Sequence, residues 1–276
     1  MTQMEVKDFH EKLRAKVNSL HDMYKQDETK KFVRALIMGR AGWGKTALCS
    51  TSPKPILFHS FDTDGTETGR VKKLINDGKI QADTRFETDN RSGDFRKYPN
   101  IFSLWEKEYL ELKDLGAFDY YKTYVIDSIT YMADALMHTI MYKDKRKESP
   151  EIQHYQMQQL TLVNIIQDLS SLPCHVLVTG HIDKFENSIS GGNWVKLLLN
   201  GQLSEKIPPL FMENYMIDVK QASTGLTRRV RIHGDGLWNA KSRIGDNAVL
   251  DQFEPCDLTS IFKKAGKDWE EGTTIL

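Results

Sequence analysis

Gly39-Arg40-Ala41-Gly42-Trp43-Gly44-Lys45-Thr46 follows directly on the apolar run from Phe32 to Met38. This stretch matches the pattern G-x-x-x-x-G-K-[ST]. The apolar run is rich in β-forming residues and predicts a strand, and Thr46 to Cys49 predict the start of a helix. In 276 residues of ordinary composition, a chance match is expected on the order of 1% of the time. The stretch therefore predicts a strand, a phosphate-binding loop and a helix, in that order.

The residue types in the loop have chemical reasons. Glycine has no Cβ, so the backbone can approach phosphate oxygens closely, and the N-terminus of the following helix attracts anions. Lys45 is expected to reach the β- and γ-phosphates, and Thr46 to bind Mg²⁺. The sequence therefore predicts an ATP- and Mg²⁺-binding site whose loop residues are Gly39, Arg40, Ala41, Gly42, Trp43, Gly44, Lys45, Thr46 and Ala47.

Strands and helices alternate along the chain after this loop. Apolar runs of strand length occur at 55–61, 121–126 and 174–179, and helical periodicity occurs at 101–113, 129–141 and 152–169. This alternation predicts an α/β fold with a mainly parallel central sheet flanked by helices. Antiparallel strands are predicted in the C-terminal part, at 215–221, 228–233 and 237–241. Residues 66–100 are polar and irregular, and no element is predicted there.

Polar side chains follow several of the predicted strands. Asp62, Asp127 and His181 each come directly after an apolar run, as the glycine-rich loop does. In a parallel sheet these strand ends meet at one edge, where ligands bind. Asp127 ends the run Tyr124-Val125-Ile126 and is expected to hold the magnesium shell beside Thr46. The alternative, an aspartate that caps a loop, is less favoured because the glycine-rich loop lies upstream.

Three carboxylates follow the second strand and are candidates for a general base. One of Asp62, Asp64 and Glu67 could polarise the attacking water, and Asp64 is our choice. The alternative is that these residues cap and solvate a turn, which fits Glu67 better. His181 is a candidate sensor of the γ-phosphate through a hydrogen bond, and a structural role at a strand end is its alternative.

Two cations lie near the end of the predicted core. Lys241 and Arg243 are separated by one residue, and cations this close could neutralise phosphate charge across a subunit interface. A solvated basic turn is the simpler explanation of this pair.

These segments together resemble the RecA-like recombinase ATPases, and most closely the phage group of compact RecA-like single-strand annealing ATPases. The matching segments are 39–46, 61–65, 124–128, 176–181 and 240–243. The resemblance implies a RecA-type core that assembles into a ring or filament with ATP at subunit contacts. It implies a catalytic role for Asp64, coupling of the γ-phosphate to DNA through His181, and cations Lys241 and Arg243 that reach ATP in trans. Two departures are Asp64, where the family usually has glutamate, and His181, where it often has glutamine.

The resemblance also implies two DNA-contacting loops. The first would be residues 142–149 and the second 184–206, and their candidate DNA-binding residues are Lys143, Lys145, Arg146, Lys147, Phe185, Trp194 and Lys196. Basic groups neutralise phosphates, and aromatic rings stack on bases. The alternative is a solvated charged turn for the first loop and local packing for Trp194.

We expect three segments along the chain. Residues 1–30 are predicted to form an N-terminal helix and linker, 31–250 the ATPase core, and 251–276 a mostly polar C-terminal tail. In the first segment, apolar residues recur at helical spacing at Phe9, Leu13, Val17, Leu20 and Met23. This stripe either packs on the chain's own core, which we favour, or docks on a neighbouring subunit.

The composition limits the classes of partner. Lys and Arg total 38, as do Asp and Glu, so no global charge attracts nucleic acid or membrane. The three cysteines are far apart and form no metal-binding pair, and no run is long enough to span a membrane. The N-terminal residues lack the apolar stretch of a signal peptide. We therefore expect a cytoplasmic protein, in the host cytoplasm if it is encoded by a phage.

The function predicted from these features is ATP-dependent binding of single-stranded DNA that promotes annealing or strand exchange. The expected partners are single-stranded DNA, further copies of the chain, and a single-stranded DNA-binding protein. Two alternatives stay open: a motor related to ring helicases, and a nucleotide-gated assembly or regulatory ATPase that does not bind DNA. A small-molecule kinase is a weaker alternative.

Overall fold

The computed structural model of the protein describes residues 3–26, 31–87, 100–144, 149–186, 193–222, 225–235, 238–245 and 248–267. Its helices are α1 Gln3–Gln26, α2 Lys45–Cys49, α3 Gly69–Asn76, α4 Ile101–Asp114, α5 Ala117–Tyr120, α6 Ile129–Lys143, α7 Ile152–Leu169, α8 Leu203–Lys206 and α9 Leu258–Lys264. Its strands are β1 Arg34–Met38, β2 Ile56–Ser60, β3 Ile80–Asp83, β4 Thr123–Asp127, β5 His175–Gly180, β6 Ile182–Glu186, β7 Asn193–Leu197, β8 Glu213–Ala222, β9 Gly225–Arg231 and β10 Phe253–Pro255.

One large sheet organises the fold. Its strand order is β10-β9-β8-β1-β5-β4-β2-β3, and β8, β1, β5, β4, β2 and β3 are mutually parallel. Strand β9 runs antiparallel to β8, and β10 antiparallel to β9. The predicted α/β fold class, with antiparallel strands added in the C-terminal part, is confirmed.

Two hydrophobic clusters cover the two faces of this sheet. Successive side chains of β1 point to opposite faces, so Leu36 belongs to one cluster and Ile37 to the other. Helices α4, α6 and α7 cover the Leu36 face, with Trp105 the largest of their buried side chains. Helices α2, α3 and α9 cover the Ile37 face. The phosphate-binding loop therefore lies at the end of a central strand that is buried on both sides.

Several elements were not predicted. Helix α3 and strand β3 lie within the stretch 66–100, where no element was expected. A separate two-stranded sheet, β6 with β7, overlaps the predicted second DNA loop at 184–206 and begins two residues before it. The predicted strand at 237–241 is wrong: its described residues form only single bridges, Trp238 with Val195 and Lys241 with Asn214. Too few consecutive pairs form there to make a ladder.

The packed core continues past the expected boundary at residue 250. Strand β10 extends the main sheet, and Leu258, Ile261 and Phe262 of α9 are buried in the Ile37-face cluster. Helix α9 is also anchored by its backbone, because the Leu258 amide donates to Thr51 Oγ1 at 2.8 Å. Three apolar residues at helical spacing suffice to bury one face of a short helix, although the surrounding tail is polar.

Helix α1 does not pack its apolar stripe on the core. Phe9, Leu13, Val17, Leu20 and Met23 have exposed fractions between 48% and 64%. The interpretation that we favoured from the sequence is therefore wrong for these side chains. Among the described residues, no helix combines the length and apolar character needed to cross a membrane.

The burial of α9 leads to a stability prediction. Phe262 is fully buried and stacks on the His175 ring with centroids 5.3 Å apart. Replacing Phe262 with Ala should lower the free energy of unfolding by about 3–5 kcal/mol, because a large buried ring is lost and a cavity is left. Leu115→Ala, at a residue 74% exposed, should change it by less than about 0.5 kcal/mol. Urea unfolding of both variants measures this, and equal small effects would place α9 outside the cooperative core.

Candidate nucleotide-binding site

The glycine-rich loop connects β1 to α2 in the conformation that its glycines allow. Gly42 and Gly44 have φ angles of 75° and 100°, in the left-handed region that residues with a Cβ rarely adopt. The first helical bond of α2 closes from the Leu48 amide to the Gly44 carbonyl at 2.9 Å. A Cβ placed on Gly42 would meet no atom within 4 Å, so the space beside the loop is open to a ligand.

Lys45 is held inside this loop. Its side chain is buried, and Nζ donates to the Gly39 carbonyl at 3.2 Å and the Arg40 carbonyl at 3.3 Å. Burial lowers the pKa of Lys45, and the nearby Asp127 and Asp62 oppose that shift. The ammonium group is therefore held inside the loop, and Lys45 lines the cleft beside it.

Asp127 is the buried carboxylate at the centre of the site. It is fully buried at the end of β4, where it accepts hydrogen bonds from Thr46 Oγ1 at 2.5 Å and from Thr179 Oγ1. Burial raises the pKa of Asp127, and the two threonine hydrogen bonds counteract that rise. The hydroxyl of Thr46 and the carboxylate of Asp127 are thus in direct contact.

His181 joins Lys45 to the carboxylates beyond β2. Its Nδ1 lies 3.3 Å from Lys45 Nζ, and its Nε2 lies 3.2 Å from Asp62 Oδ2. The Tyr131 ring packs edge-on against the imidazole, with centroids 5.5 Å apart. These contacts hold the imidazole in place, so it can respond to a change at either Lys45 or Asp62.

The three carboxylates considered as bases occupy different surroundings. Asp62 contacts His181. Asp64 lies two residues further along the chain, is more exposed than Asp62 and lines the same cleft. The Asp64 amide donates to Glu87 Oε2 at 3.2 Å, so Glu87 orders this turn. Glu67 forms an exposed ion pair with Lys72 at 2.5 Å, which agrees with a structural role.

The cleft beside the loop fits a nucleotide and a magnesium ion. Its volume is about 300 Å³, and its lining includes the loop, Asp62, Asp64, Tyr131 and His181. A hydroxyl and a carboxylate at contact distance are the oxygen donors that Mg²⁺ prefers, with phosphates and water filling the other positions. Among the described residues, no cluster of three or more His, Cys, Asp or Glu residues could hold a metal alone. Thr46 and Asp127 would hold the ion, which would neutralise phosphate charge.

Lys241 and Arg243 lie away from the chain's own loop. Lys241 pairs through its backbone with Asn214, which is level with Leu36 in the middle of β1. The amides of Arg243 and Ile244 donate to Oε1 of the buried Glu213, at 2.6 Å and 3.1 Å. Burial raises the pKa of Glu213, and these hydrogen bonds oppose the rise.

The structure describes some of the candidate DNA-binding residues. Lys143 is exposed at the end of α6, and Lys145, Arg146 and Lys147 lie outside the described residues. Phe185 of β6 is directly opposite Trp194 of β7. Lys196 Nζ forms an ion pair with Glu205 at 2.6 Å, so part of its charge is compensated within the chain.

This fold and loop define the class of protein as a P-loop ATPase domain. The chain belongs to the AAA_24 family of AAA domains, whose model matches residues 31–244. A solved structure that is similar to the chain is the KaiC-like protein PH0186 from the hyperthermophilic archaeon Pyrococcus horikoshii OT3. It is 17% identical, covers 72% of this chain and 76% of its own, and superposes with a TM-score of 0.37. No curated protein has significant sequence similarity to the chain.

Sequence reasoning did not identify several residues that shape the site. Thr179, Glu87 and Glu213 had no assigned role, although Thr179 immediately precedes Gly180 and His181 at a predicted strand end. A polar residue inside an apolar strand run was the available signal for Thr179. Glu87 and Glu213 act on backbone amides distant in sequence, which no local pattern reveals.

The Asp127 geometry leads to a prediction about metal dependence. Asp127→Asn keeps the shape of the side chain and removes its charge, so Mg²⁺ should no longer strengthen ATP binding. We expect affinity for ATP with Mg²⁺ to fall roughly 10- to 100-fold, with little change in chelator. Calorimetric titration with and without Mg²⁺ measures both, and Asp77→Asn, on an exposed turn, is the control. Retention of the full Mg²⁺ effect would refute the metal role of Asp127.

Proposed function

We propose that the protein is an ATP-hydrolysing, single-stranded DNA-binding protein of the phage RecA-like annealing type, which promotes annealing or strand exchange. The observation that supports this is the position of His181. It contacts Lys45 and Asp62 in the nucleotide site, and the next residue, Ile182, begins the β6–β7 hairpin. One residue would therefore link the phosphates to the hairpin that carries three of the DNA candidates, Phe185, Trp194 and Lys196.

The hairpin is attached firmly at this point. Ile182 is buried, and the Leu198 amide donates to the His181 carbonyl at 2.8 Å, so both strands are tied to the sensor residue. A γ-phosphate that draws Lys45 toward itself would change the Lys45–His181 contact. That change would move the hairpin base, which is how ATP binding would alter the affinity for DNA.

For hydrolysis, the two aspartates would have different tasks. Asp62 is engaged with His181 and would hold the imidazole in orientation. Asp64 lines the cleft beside it and is our proposed general base for the attacking water. Lys45 and the bound Mg²⁺ would stabilise the charge on the transferred phosphoryl group.

The DNA surface would combine stacking and charge. Phe185 and Trp194 are a directly opposed pair in the hairpin, a placement suited to aromatic stacking on unpaired bases. Lys143, exposed at the end of α6, would lead into the basic stretch of Lys145, Arg146 and Lys147. Lys196 would contribute less, because Glu205 already pairs with it.

DNA-stimulated ATP turnover is the first test. We expect single-stranded DNA to raise the rate of ATP hydrolysis several-fold, and Lys45→Ala to abolish hydrolysis with and without DNA. Trp194→Ala should weaken DNA binding by about 5- to 150-fold, from the loss of one stacking contact. Hydrolysis rates and fluorescence anisotropy of a labelled oligonucleotide measure these effects.

Trp194→Phe is the matched control, because it keeps an aromatic ring and should retain most of the DNA affinity. Hydrolysis that is indifferent to single-stranded DNA would instead favour an assembly or regulatory ATPase. Directional unwinding of duplex DNA would favour a motor. Annealing of two complementary labelled strands, faster with ATP present, would support the proposal.

We also propose that the protein acts as a ring or filament in which Lys241 and Arg243 reach the neighbouring subunit's ATP. Lys241 lies across β8 from β1 and about 7 Å below the strand end, from the rise per residue of a strand. Lys241 is therefore poorly placed to contact a nucleotide bound by its own chain. Glu213 fixes the backbone around Arg243, which suits a cation that must be presented in one direction. We further propose that the protein acts in the cytoplasm and has a single-stranded DNA-binding protein as a partner.

Mixing two inactive variants tests action in trans. Lys45→Ala lacks its own nucleotide site but keeps Arg243, and Arg243→Ala keeps the site but lacks the cation. Each alone should hydrolyse ATP at least about 1,000-fold more slowly than the parent, the lower end of the range known for arginine fingers. Their mixture should recover a measurable fraction of the parent rate. No recovery in mixtures shown by light scattering to co-assemble would contradict a role in trans.

A further inference from the structure

The β8–β9 hairpin forms a wall beside the phosphate-binding loop. Strand β1 ends at Met38, level with Met216, whereas β8 continues to Ala222. The hairpin therefore projects past the edge of the sheet where the loop begins. The contact is close, because a Cβ placed on Gly39 would lie 3.5 Å from the Ile217 Cβ.

One arginine of this hairpin faces the loop. Arg228 is directly opposite Val219, and paired residues of antiparallel strands project from the same face. Val219 packs with the cluster that contains Leu48 of α2, so this is the face on which the loop and α2 lie. A Cβ on Gly44 would lie 3.6 Å from Cδ and 3.7 Å from Nε of Arg228. The guanidinium group thus reaches the middle of the loop.

The charge of Arg228 is available to a ligand. Its side chain is exposed, and no carboxylate lies within ion-pair distance of it in the part of the chain that the structure describes. The nearest acidic residue of the hairpin in sequence, Asp218, pairs instead with Arg229 at 2.7 Å. Arg229 lies on the opposite face, over the Phe253 ring at 3.3 Å. Arg229 therefore has a structural role in the hairpin, whereas Arg228 faces the loop.

The arrangement of the site fixes the direction in which a nucleotide lies. Asp127 ends β4, His181 follows β5 and Asp62 follows β2, and these three strands are all on one side of β1. Strands β8 and β9 are on the other side. A nucleotide whose γ-phosphate and Mg²⁺ lie against Asp127 and His181 must extend its α-phosphate and nucleoside away from them. That direction leads across Gly44 toward the hairpin.

We propose that Arg228 is a nucleotide-binding residue that acts within its own chain and contacts the α-phosphate of the bound nucleotide. A guanidinium group can donate two hydrogen bonds to one phosphate, which gives direction as well as charge. The α-phosphate is present in both ATP and ADP, so this contact stabilises both complexes equally. The residues that distinguish ATP from ADP are then those on the other side of β1, where Asp127 and His181 lie. The inference rests on the nucleotide site and is independent of DNA binding.

Calorimetric titration with unlabelled ADP and ATP, in the absence of DNA, tests this assignment. Arg228→Ala should weaken both nucleotides by the same factor, roughly 10- to 100-fold, the range for a hydrogen bond to a charged group. Arg228→Lys keeps the charge but not the paired donors and should lie between parent and Ala. Lys220→Ala is the matched control: Lys220 is exposed on the same hairpin, in the neighbouring pair with Thr227, and should leave both affinities unchanged.

Three outcomes would overturn the assignment. They are unchanged affinities in Arg228→Ala, a loss for ATP that spares ADP, and an equal loss in Lys220→Ala. The second would place Arg228 at the γ-phosphate. Urea unfolding of each variant, expected to match the parent because Arg228 is exposed, separates a lost contact from a misfolded hairpin. A failure of DNA stimulation would not affect these affinities, so the two proposals fail separately.

Discussion

The burial of one carboxylate determines how the parts of this site are held together. Asp127 is fully withdrawn from water, and an unpaired charge in such a position is costly, so its oxygens need donors. Thr46 supplies one from the start of α2 and Thr179 another from β5. The start of α2 and the ends of β4 and β5 are thereby fixed to one group. The rest of the site, including the Lys45–His181 contact, is built outward from that junction.

Strand β1 divides the molecule into two functional sides. Toward β5, β4 and β2 lie the residues that would sense and process the terminal phosphate, and from His181 the chain runs directly into the β6–β7 hairpin. Toward β8 and β9 lie Arg228, which faces the loop, and Glu213, which presents Arg243. Under the proposed function, one side would relay the state of the nucleotide to DNA, and the other would hold the nucleotide and reach the next subunit.

Motif and periodicity were sufficient for the loop, the parallel sheet and the convergence of strand-end residues, because these depend on local sequence and on one topological rule. Elements whose stability comes from distant contacts were not predictable. Strand β3 is stabilised by pairing with β2, which its own sequence does not show. Helix α3 has a helical pattern in Val71, Leu74 and Ile75, but three apolar residues in a long polar stretch were too short a signal. The helical spacing of Leu258, Ile261 and Phe262 indicates a short helix, but it does not show that this helix packs on the core. The role of Glu213 could not be predicted from the sequence, because it accepts hydrogen bonds from backbone amides about thirty residues away.

Helix α1 has a consequence for the behaviour of the protein in solution. Its apolar stripe is exposed along the helix, from Phe9 to Met23. The formal net charge of the chain is +0 at pH 7, so long-range repulsion between molecules is weak under neutral conditions. Attraction between the exposed apolar stripes of two α1 helices is then opposed by little electrostatic repulsion. Colloidal stability should therefore improve away from neutrality, and concentrated samples should be sensitive to pH in a way that a charged chain of the same fold would not be.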